Sequence, residues 1–570
     1  MKVFRLALAQ INSTVGAFSA NRARILAAAR QASDAGAHLC VFPELALCGY
    51  PPEDLVLKPH FVRMAEDELQ TLAAEMPPDL VAVIGLPIAG RSRPRNAAAL
   101  VSGGKVAAAY SKHLLPNYGV FDEKRLFEAG NTPLCIQCGG ARFALHICED
   151  SWQPSEAHLR KLASLRLTAL LNLSASPFHR GKTDERSAVL QRTSQAIGAP
   201  LAYCNLVGGQ DELVFDGGSL WITPSGDIPH RAKRFEEDML FIDLPLGDGM
   251  DLIDAAPPDN VEWVILSDTP TPPPPRPVLP PPPPMDDLEE VYRALTLGLR
   301  DYADKNGFRD VLVAISGGID SALVAALAVD ALGAERVTGV TLPTRFSSSG
   351  TLGDARLLAQ NLGIRMAEIP IQGLVDGFLE RLEPQWPGRA PDVTEENLQA
   401  RIRGTLVMAL SNKFNRLVVA TGNKSEMATG YATLYGDMNG GFALIKDVPK
   451  TLVFDLSRWI NARAGREVIP LSTIERPPSA ELRDNQKDSD SLPPYDQLDA
   501  ILELYIEKDL GRADIIDAGH DPALVARVIR LVDRSEYKRR QAPPGVKITP
   551  KAFGRDRRMP LTNHYPPPVP

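Results

Sequence analysis

Residues 269–284 read TPTPPPPRPVLPPPPP, and eleven of these sixteen residues are proline. Proline has no amide hydrogen and a fixed φ, so the run fits neither a helix interior nor the centre of a sheet. It reads as an extended, fairly stiff polyproline spacer. A recognition segment for a proline-binding domain is the other use of such a run. The spacer reading is preferred, because a chain of 570 residues needs a domain boundary somewhere. The run separates residues 1–268 from residues 285–570, and each part is long enough to bury a core of its own.

Composition removes several classes. With 44% apolar and 23% charged residues the chain is neither disordered nor fibrous. A net charge of −8 disfavours a diffuse nucleic-acid binder. No stretch of roughly 18 apolar residues occurs, so no membrane span is expected. Arg5 and Gln10 interrupt the first apolar run, which reads as a strand and not a signal peptide. Cys40, Cys48, Cys135, Cys138, Cys148 and Cys204 are too few for a disulfide framework and point to a reducing, cytoplasmic compartment. Cys135 and Cys138 form a CxxC with no second pair and read as small core hydrophobes.

Before the spacer, apolar runs at 4–11, 39–42, 80–85, 143–148 and 167–173 read as strands. Ile25, Ala28, Ala29 and Ala32 recur between them at helical spacing. After the spacer, helices over 287–305, 321–332 and 395–414 alternate with strands over 311–315, 337–342 and 417–421. That alternation predicts a parallel, doubly wound α/β sheet. The terminal HYPPPVP should be ordered only if something holds it down.

The stretch Ser316-Gly317-Gly318-Ile319-Asp320-Ser321 joins the apolar strand VLVAI to the helical ALVAALAV. Two glycines let the backbone approach an anion, and free amides at the helix start point towards it. The loop lacks the GKS/T ending of a Walker A motif. Asp320 reads as a helix cap; the loop also resembles the pyrophosphate loop of ATP enzymes that adenylate a substrate, and that resemblance implies a ligand for magnesium on the phosphates. Glu426, in TGNKSE after strand 417–421, reads either as a helix-start acid or as the second carboxylate of such a site.

Before the spacer, three groups stand out in order: Glu44 in FPEL and Cys148 in HICED, each at the end of an apolar run, and Lys112 in YSKHLLPNY. A thiol attacks an amide only as thiolate, so it needs a base or a cation beside it. Glu44 can take the thiol proton and return it to the leaving amine. Lys112 can stabilise the oxyanion.

In conjunction these flanks resemble the nitrilase superfamily. The segments FPELALCGYPPEDL, YSKHLLPNYGVFDEKRLFEAG, ICED and NLSASPFHRGK match its glutamine amidase branch. The resemblance implies a four-layer α-β-β-α sandwich, with Tyr118, Ser176 and Lys182 holding glutamine and Glu123 or Glu149 supporting the catalytic groups. After the spacer, SGGIDS, ENLQARIRG, TGNKSE, GDMNGGFALIKDVPKT and PPSAELRDNQKDSDSLPPY resemble NAD synthetases. The chain has Thr344, Phe346 and Asp484 where those enzymes more often have serine, tyrosine and proline.

This second resemblance implies adenylation of the carboxylate of deamido-NAD⁺ by ATP, and its amidation by ammonia released from glutamine. Ser316 to Ser321, Thr421 and Arg345 are then expected at ATP, Asn397, Glu426 and Lys538 at deamido-NAD⁺, and Asp320 and Glu426 at Mg²⁺. Residues 477–495 are expected to form a lid. A sheltered ammonia path and a homo-oligomer are further implications. Residues 534–558 hold nine Lys or Arg against two acids, which reads equally as an anion-binding run and as a solvated face. A different ATP-dependent amidotransferase, a nitrilase-type amidase with an inert rear half, and a proline-based scaffold are the competing readings.

Overall fold

The computed structural model describes residues 2–246, 260–266, 272–276 and 280–562. Residues 269–271 and 277–279 of the proline-rich run, and the terminal 564–570, lie outside the described residues. The chain divides into two compact units, Met1–Gln210 with Val214–Met285, and Asp211–Leu213 with Asp286–Pro570.

In the first unit two sheets share a core. One has six strands in the order Asp238–Leu246, Lys2–Gln10, Leu39–Val41, Val81–Ile88, Arg95–Ser102 and Lys105–Ser111. The other has seven, with Ala141–Ile147, Ala169–Ser174 and Leu201–Asn205 parallel at its centre. The strand Lys2–Gln10 shows why both faces are apolar. Phe4, Leu6 and Leu8 point between the sheets, among Phe143, Leu145 and Leu171. Ala7 and Ala9 alternate to the opposite face, against the helices Phe18–Asp34 and Pro59–Glu75. Glu156–Ser164 and Lys182–Ile197 cover the outer face of the second sheet. The result is the expected α-β-β-α sandwich. Arg5, the polar interruption in the first strand, is buried, with its guanidinium 2.7 Å from Asp243 and 2.6 Å from the Ala35 carbonyl.

The second unit has a five-stranded, fully parallel sheet in the order Arg365–Glu368, Val337–Thr341, Val311–Ala314, Leu417–Ala420, Phe442–Ala443. The chain order reverses between Val311–Ala314 and Leu417–Ala420, so a crevice opens at their carboxyl ends, where open α/β sheets bind ligands. Val393–Phe414 packs on the sheet through Ile402 and Val407. A separate helical cluster forms around Leu498, Ile501, Val525 and Val528. Among the described residues no helix is long and apolar enough to cross a membrane.

The sequence boundaries shift where chemistry sits. The strand expected over 143–148 ends at Ile147, and Cys148 opens a 3₁₀ turn with φ 44°. The helix expected from Ser321 begins at Ile319 with Gly318 as its cap, so Asp320 stands in the first turn and is not the cap.

A buried charge network braces the strand ends of the first unit. Asp216 lies 2.8 Å from Arg186 and 3.0 Å from Arg234. Burial alone would raise its carboxyl, but Arg186 and Arg234 outweigh burial and hold it at about 2. Asn205 donates to Gly217 and accepts from the Ser176 amide, which links this network to Ser176. Asp216→Asn removes the carboxylate charge that Arg186 and Arg234 share, and we expect it to cost about 3 kcal/mol in urea unfolding at pH 7. A folded-state value below the ordinary 3.8 means the stabilisation is present above pH 3.8 and lost as pH falls towards 2, so wild type and variant should converge in that window.

Candidate functional site

The first site is built on the ends of neighbouring strands. Glu44 follows strand Leu39–Val41 through Phe42 and Pro43, and Gly85 of the adjacent strand lets that turn approach. A Cβ on Gly85 would stand 2.4 Å from the Pro43 carbonyl and the Leu45 amide. Lys112 directly follows strand Lys105–Ser111. Its ammonium lies 2.7 Å from Glu44 and 2.9 Å from Glu123, with all three groups buried. The other Glu44 oxygen accepts from the Ala175 amide at 3.0 Å, and Asn96 donates to Glu44 at 2.7 Å. Burial alone would lower the Lys112 ammonium, but Glu123, Glu44 and Cys148 raise it well above the usual range. Burial pushes Glu123 up to about 7, against the pull of Lys112.

Cys148 is buried. Burial, and then the charge of Glu44, push its thiol well up, while Lys112 pulls it down. The resting sulfur is therefore a thiol. Asp150 ties the cysteine turn to the lysine loop. It accepts from the amides of Ile147, His113 and Leu114 at 2.8–3.0 Å and from the Tyr110 hydroxyl at 2.8 Å. Glu123 accepts from Lys112 and from the Tyr50 hydroxyl, and Glu149 accepts from the Tyr118 hydroxyl at 2.9 Å. Lys182 stands 4.0 Å over the Trp152 ring and 3.0 Å from Glu185, and burial lowers its ammonium. Ser176 is buried. Tyr50, Asn96, Asp150 and Trp152 were not expected. Asp150, inside ICED, and Tyr50, inside FPELALCGYPPEDL, lie in segments with a local signal, whereas Asn96 and Trp152 do not.

The second site is a cavity of about 300 Å³ at the carboxyl ends of Val311–Ala314 and Leu417–Ala420. Residues Ser316 to Ser321, Thr421 and Glu426 all line it. Gly317 has φ 87°, and a Cβ there would stand 2.0 Å from the Thr351 carbonyl. Asn423 caps the helix Lys424–Thr429, and its amide donates to Asp320 at 2.9 Å. Glu426 closes the reciprocal capping box, so its helix-start role is real and coexists with its place on the cavity wall.

Lys450, absent from the expected set, is buried and pairs with both Asp320 and Glu426. Burial and the Asp320 charge push Glu426 up to about 8. Two carboxylates on one wall, one of them raised by the other, fit a divalent cation that phosphate oxygens would complete.

Residues 477–495 were expected as a lid. Pro477 to Leu482 and Asp488 line the cavity, and the segment is docked by Thr351 on Glu481 at 2.8 Å and by Gln399 on the Leu482 carbonyl at 2.9 Å. Arg345, Asn397 and Lys538 are not on the cavity wall. Arg345 stacks its guanidinium on Phe346, and Asn397 accepts from Thr433 at 2.8 Å. Lys538 donates to the carbonyls of Gly430 and Ala432 at 2.7 Å, beside the cavity residue Tyr431. Much of the basic run 534–558 is engaged internally. Arg539 pairs with Glu536, Lys547 with Asp556, Lys551 with Asp509, and Arg557 with Asp533. These four side chains are thus each paired with an acid of the same unit.

If the loop binds an adenine nucleotide, Gly317→Ala should weaken ATP binding at least about tenfold, since the loop cannot keep its left-handed turn. Titration calorimetry measures this, and unchanged affinity would contradict the loop's role.

Comparison with known proteins adds the following. The carbon-nitrogen hydrolase family matches residues 5–252, and the NAD synthase family matches residues 291–542. A glutamine-dependent NAD(+) synthetase of Thermotoga maritima is 46% identical over 580 aligned positions, covering all of both chains. One from Acinetobacter baylyi is 42% identical, again over the whole of both chains. The solved glutamine-dependent NAD+ synthetase of Acinetobacter baumannii, in complex with ADP, is 40% identical with a TM-score of 0.75 over the full length of both chains. Identity at this level across the whole sequence, with one family model on each side of the proline-rich run, means that this chain belongs to the glutamine-dependent NAD(+) synthetase family.

Proposed function

We propose that the first unit hydrolyses glutamine and that the second uses ATP to adenylate deamido-NAD⁺ and amidate it to NAD⁺, releasing AMP and pyrophosphate. One observation carries the reading. A single chain holds both a buried Glu44–Lys112 pair beside Cys148 and a glycine loop whose Asp320 shares Lys450 with Glu426 on one cavity wall.

In the first unit Glu44 takes the Cys148 proton as the sulfur attacks the carboxamide carbon, and passes it to the departing ammonia. Lys112 keeps its charge and faces the oxyanion that forms. Water, activated by the same glutamate, then hydrolyses the thioester. Tyr118, Ser176 and Lys182 hold the glutamine, with Glu149 orienting the tyrosine hydroxyl.

In the second unit the amides and hydroxyls of Ser316 to Ser321 cradle the ATP phosphates. Asp320 and Glu426 would hold Mg²⁺, which supplies charge neutralisation on those phosphates when bound. Thr421 and, less directly placed, Arg345 serve ATP, while Asn397 and Lys538 serve deamido-NAD⁺. Residues 477–482 wall the cavity and exclude water from the acyl-adenylate. Residues 1–268 and 285–570 are the two catalytic domains around the proline-rich linker, in a cytoplasmic homo-oligomer.

A glutamine-versus-ammonium assay with ATP, magnesium and deamido-NAD⁺ tests this directly. Cys148→Ala should abolish NAD⁺ formation from glutamine and leave formation from ammonium salts intact. Glutamine-supported turnover in that variant would remove the thiol from the mechanism. Asp320→Ala should stop both routes, and persistent ammonium-driven synthesis would argue against its place at the phosphates.

A further inference from the structure

Cys148 holds a left-handed backbone that non-glycine residues rarely adopt, and such a conformation persists only where its surroundings over-determine it. Its carbonyl accepts from the Asn172 side-chain amide at 3.3 Å. The same amide nitrogen donates to Ser151 Oγ, and Asn172 Oδ1 accepts from Ser174 at 2.6 Å. Ser151 Oγ lies 2.9 Å from His146 Nδ1, and His146 Nε2 lies 2.8 Å from His158 Nε2. His146, Ser151 and Asn172 are fully buried, whereas His158, on the helix Glu156–Ser164, is half-buried. A continuous chain of hydrogen bonds therefore runs from a partly accessible imidazole to the carbonyl of the nucleophile.

One direction uses every donor in the chain. Ser151 Oγ accepts from Asn172, and among the described residues His146 Nδ1 is the acceptor its own proton reaches, so Ser151 donates to His146 Nδ1. His146 then carries its proton on Nε2 and donates it to His158 Nε2, which must be an acceptor. Burial first, and then His113 and Lys161, hold His158 down at about 4, so it stays neutral and keeps that role. The His113 ring, 5.4 Å from His158, and the stacked His146 ring are the titratable neighbours from other elements, with Lys161 on its own helix and Asp150 beside His113.

We propose that His146 is a positioning residue for glutamine hydrolysis: through Ser151 and Asn172 it fixes the backbone of Cys148, with His158 setting the direction of the chain. This rests on Cys148 being the nucleophile proposed above. His146 touches neither the thiol's expected base nor its expected cation, and it reaches the reaction only through the geometry of residue 148.

The test is steady-state glutamine hydrolysis by the full-length protein, with ammonium-driven NAD⁺ synthesis measured in parallel. His146→Phe should lower kcat for hydrolysis about tenfold or more with KM changed less than about twofold, because misplacing a reacting group costs rate more than binding. Ammonium-driven synthesis should be unaffected. His146→Asn places a carbonyl oxygen near the Nδ1 position, where it accepts from Ser151, and should recover most of kcat.

A second pair of variants avoids the core. His158→Gln keeps an acceptor and should retain hydrolysis, whereas His158→Lys offers only donors and should lower kcat several-fold. Hydrolysis by His146→Phe within about twofold of wild type, equal loss in the Phe and Asn variants, or equal behaviour of the Gln and Lys variants each overturns the proposal. Cys148→Ala separates the two readings. If it still hydrolyses glutamine, the nucleophile assignment falls; if it is inactive while His146→Phe is normal, only the brace falls.

Discussion

An ammonium group with 1% exposure, Lys112, sits between two buried carboxylates, and the front half of the molecule is organised around the cost of that arrangement. An isolated charge does not survive in such a place, because burial without partners is prohibitive. Glu44 supplies one partner and Glu123 the other, and each is held in turn. Asn96 and the Ala175 amide hold Glu44, and Tyr50 holds Glu123. These partners come from distant parts of the chain. The charge cluster therefore exists only when both sheets are in register, which makes the site a product of the whole sandwich and not of one loop.

The rear half uses a related device differently. Asp320 and Glu426 also share one lysine, Lys450, but they do so on the wall of a cavity. There the lysine compensates a pair of like charges that a nucleotide with its counter-ion would also satisfy. The front cluster is closed and permanent, suited to a base and an oxyanion cation. The rear cluster is open on one side, suited to a ligand that brings charge with it. Asn423 and the capping box keep the two carboxylates fixed in either case.

Sequence showed the parts of this that are local. The strand-glycine-helix context of Ser316 to Ser321, and the strand ends carrying Glu44 and Cys148, follow from apolar periodicity and punctuation. The strand Arg365–Glu368 gave no such signal, because it is a partly exposed edge with charged residues at both ends. Phe442–Ala443 is too short to show a period. Lys450 looks like any helix-start lysine until the fold brings Asp320 and Glu426 to it from other elements. Arg539, Lys547, Lys551 and Arg557 read as a basic patch because the run holds only two acids, Glu536 and Asp556, which pair with Arg539 and Lys547, while the partners of Lys551 and Arg557, Asp509 and Asp533, come from outside it. Tyr118, Ser176, Lys182, Arg345, Asn397 and Lys538 rest on family resemblance, since no spacing rule selects them.

The protonation state of the front site has a consequence for how the enzyme is controlled. A thiolate is the reactive form towards oxidants as well as towards amides. Burial and the neighbouring Glu44 carboxylate keep the Cys148 sulfur protonated at rest, despite the cation beside it. In the proposed mechanism the proton then leaves during attack, when negative charge moves on to the substrate oxygen and Lys112 can stabilise it. Activation is in this way tied to the presence of a carbonyl in the site. A resting thiolate would gain speed in the first step, but it would be exposed to oxidation through every idle interval. The strained backbone of Cys148 works in the same sense. In the proposed mechanism it aims the sulfur in advance, so that placement and not a standing charge supplies the rate.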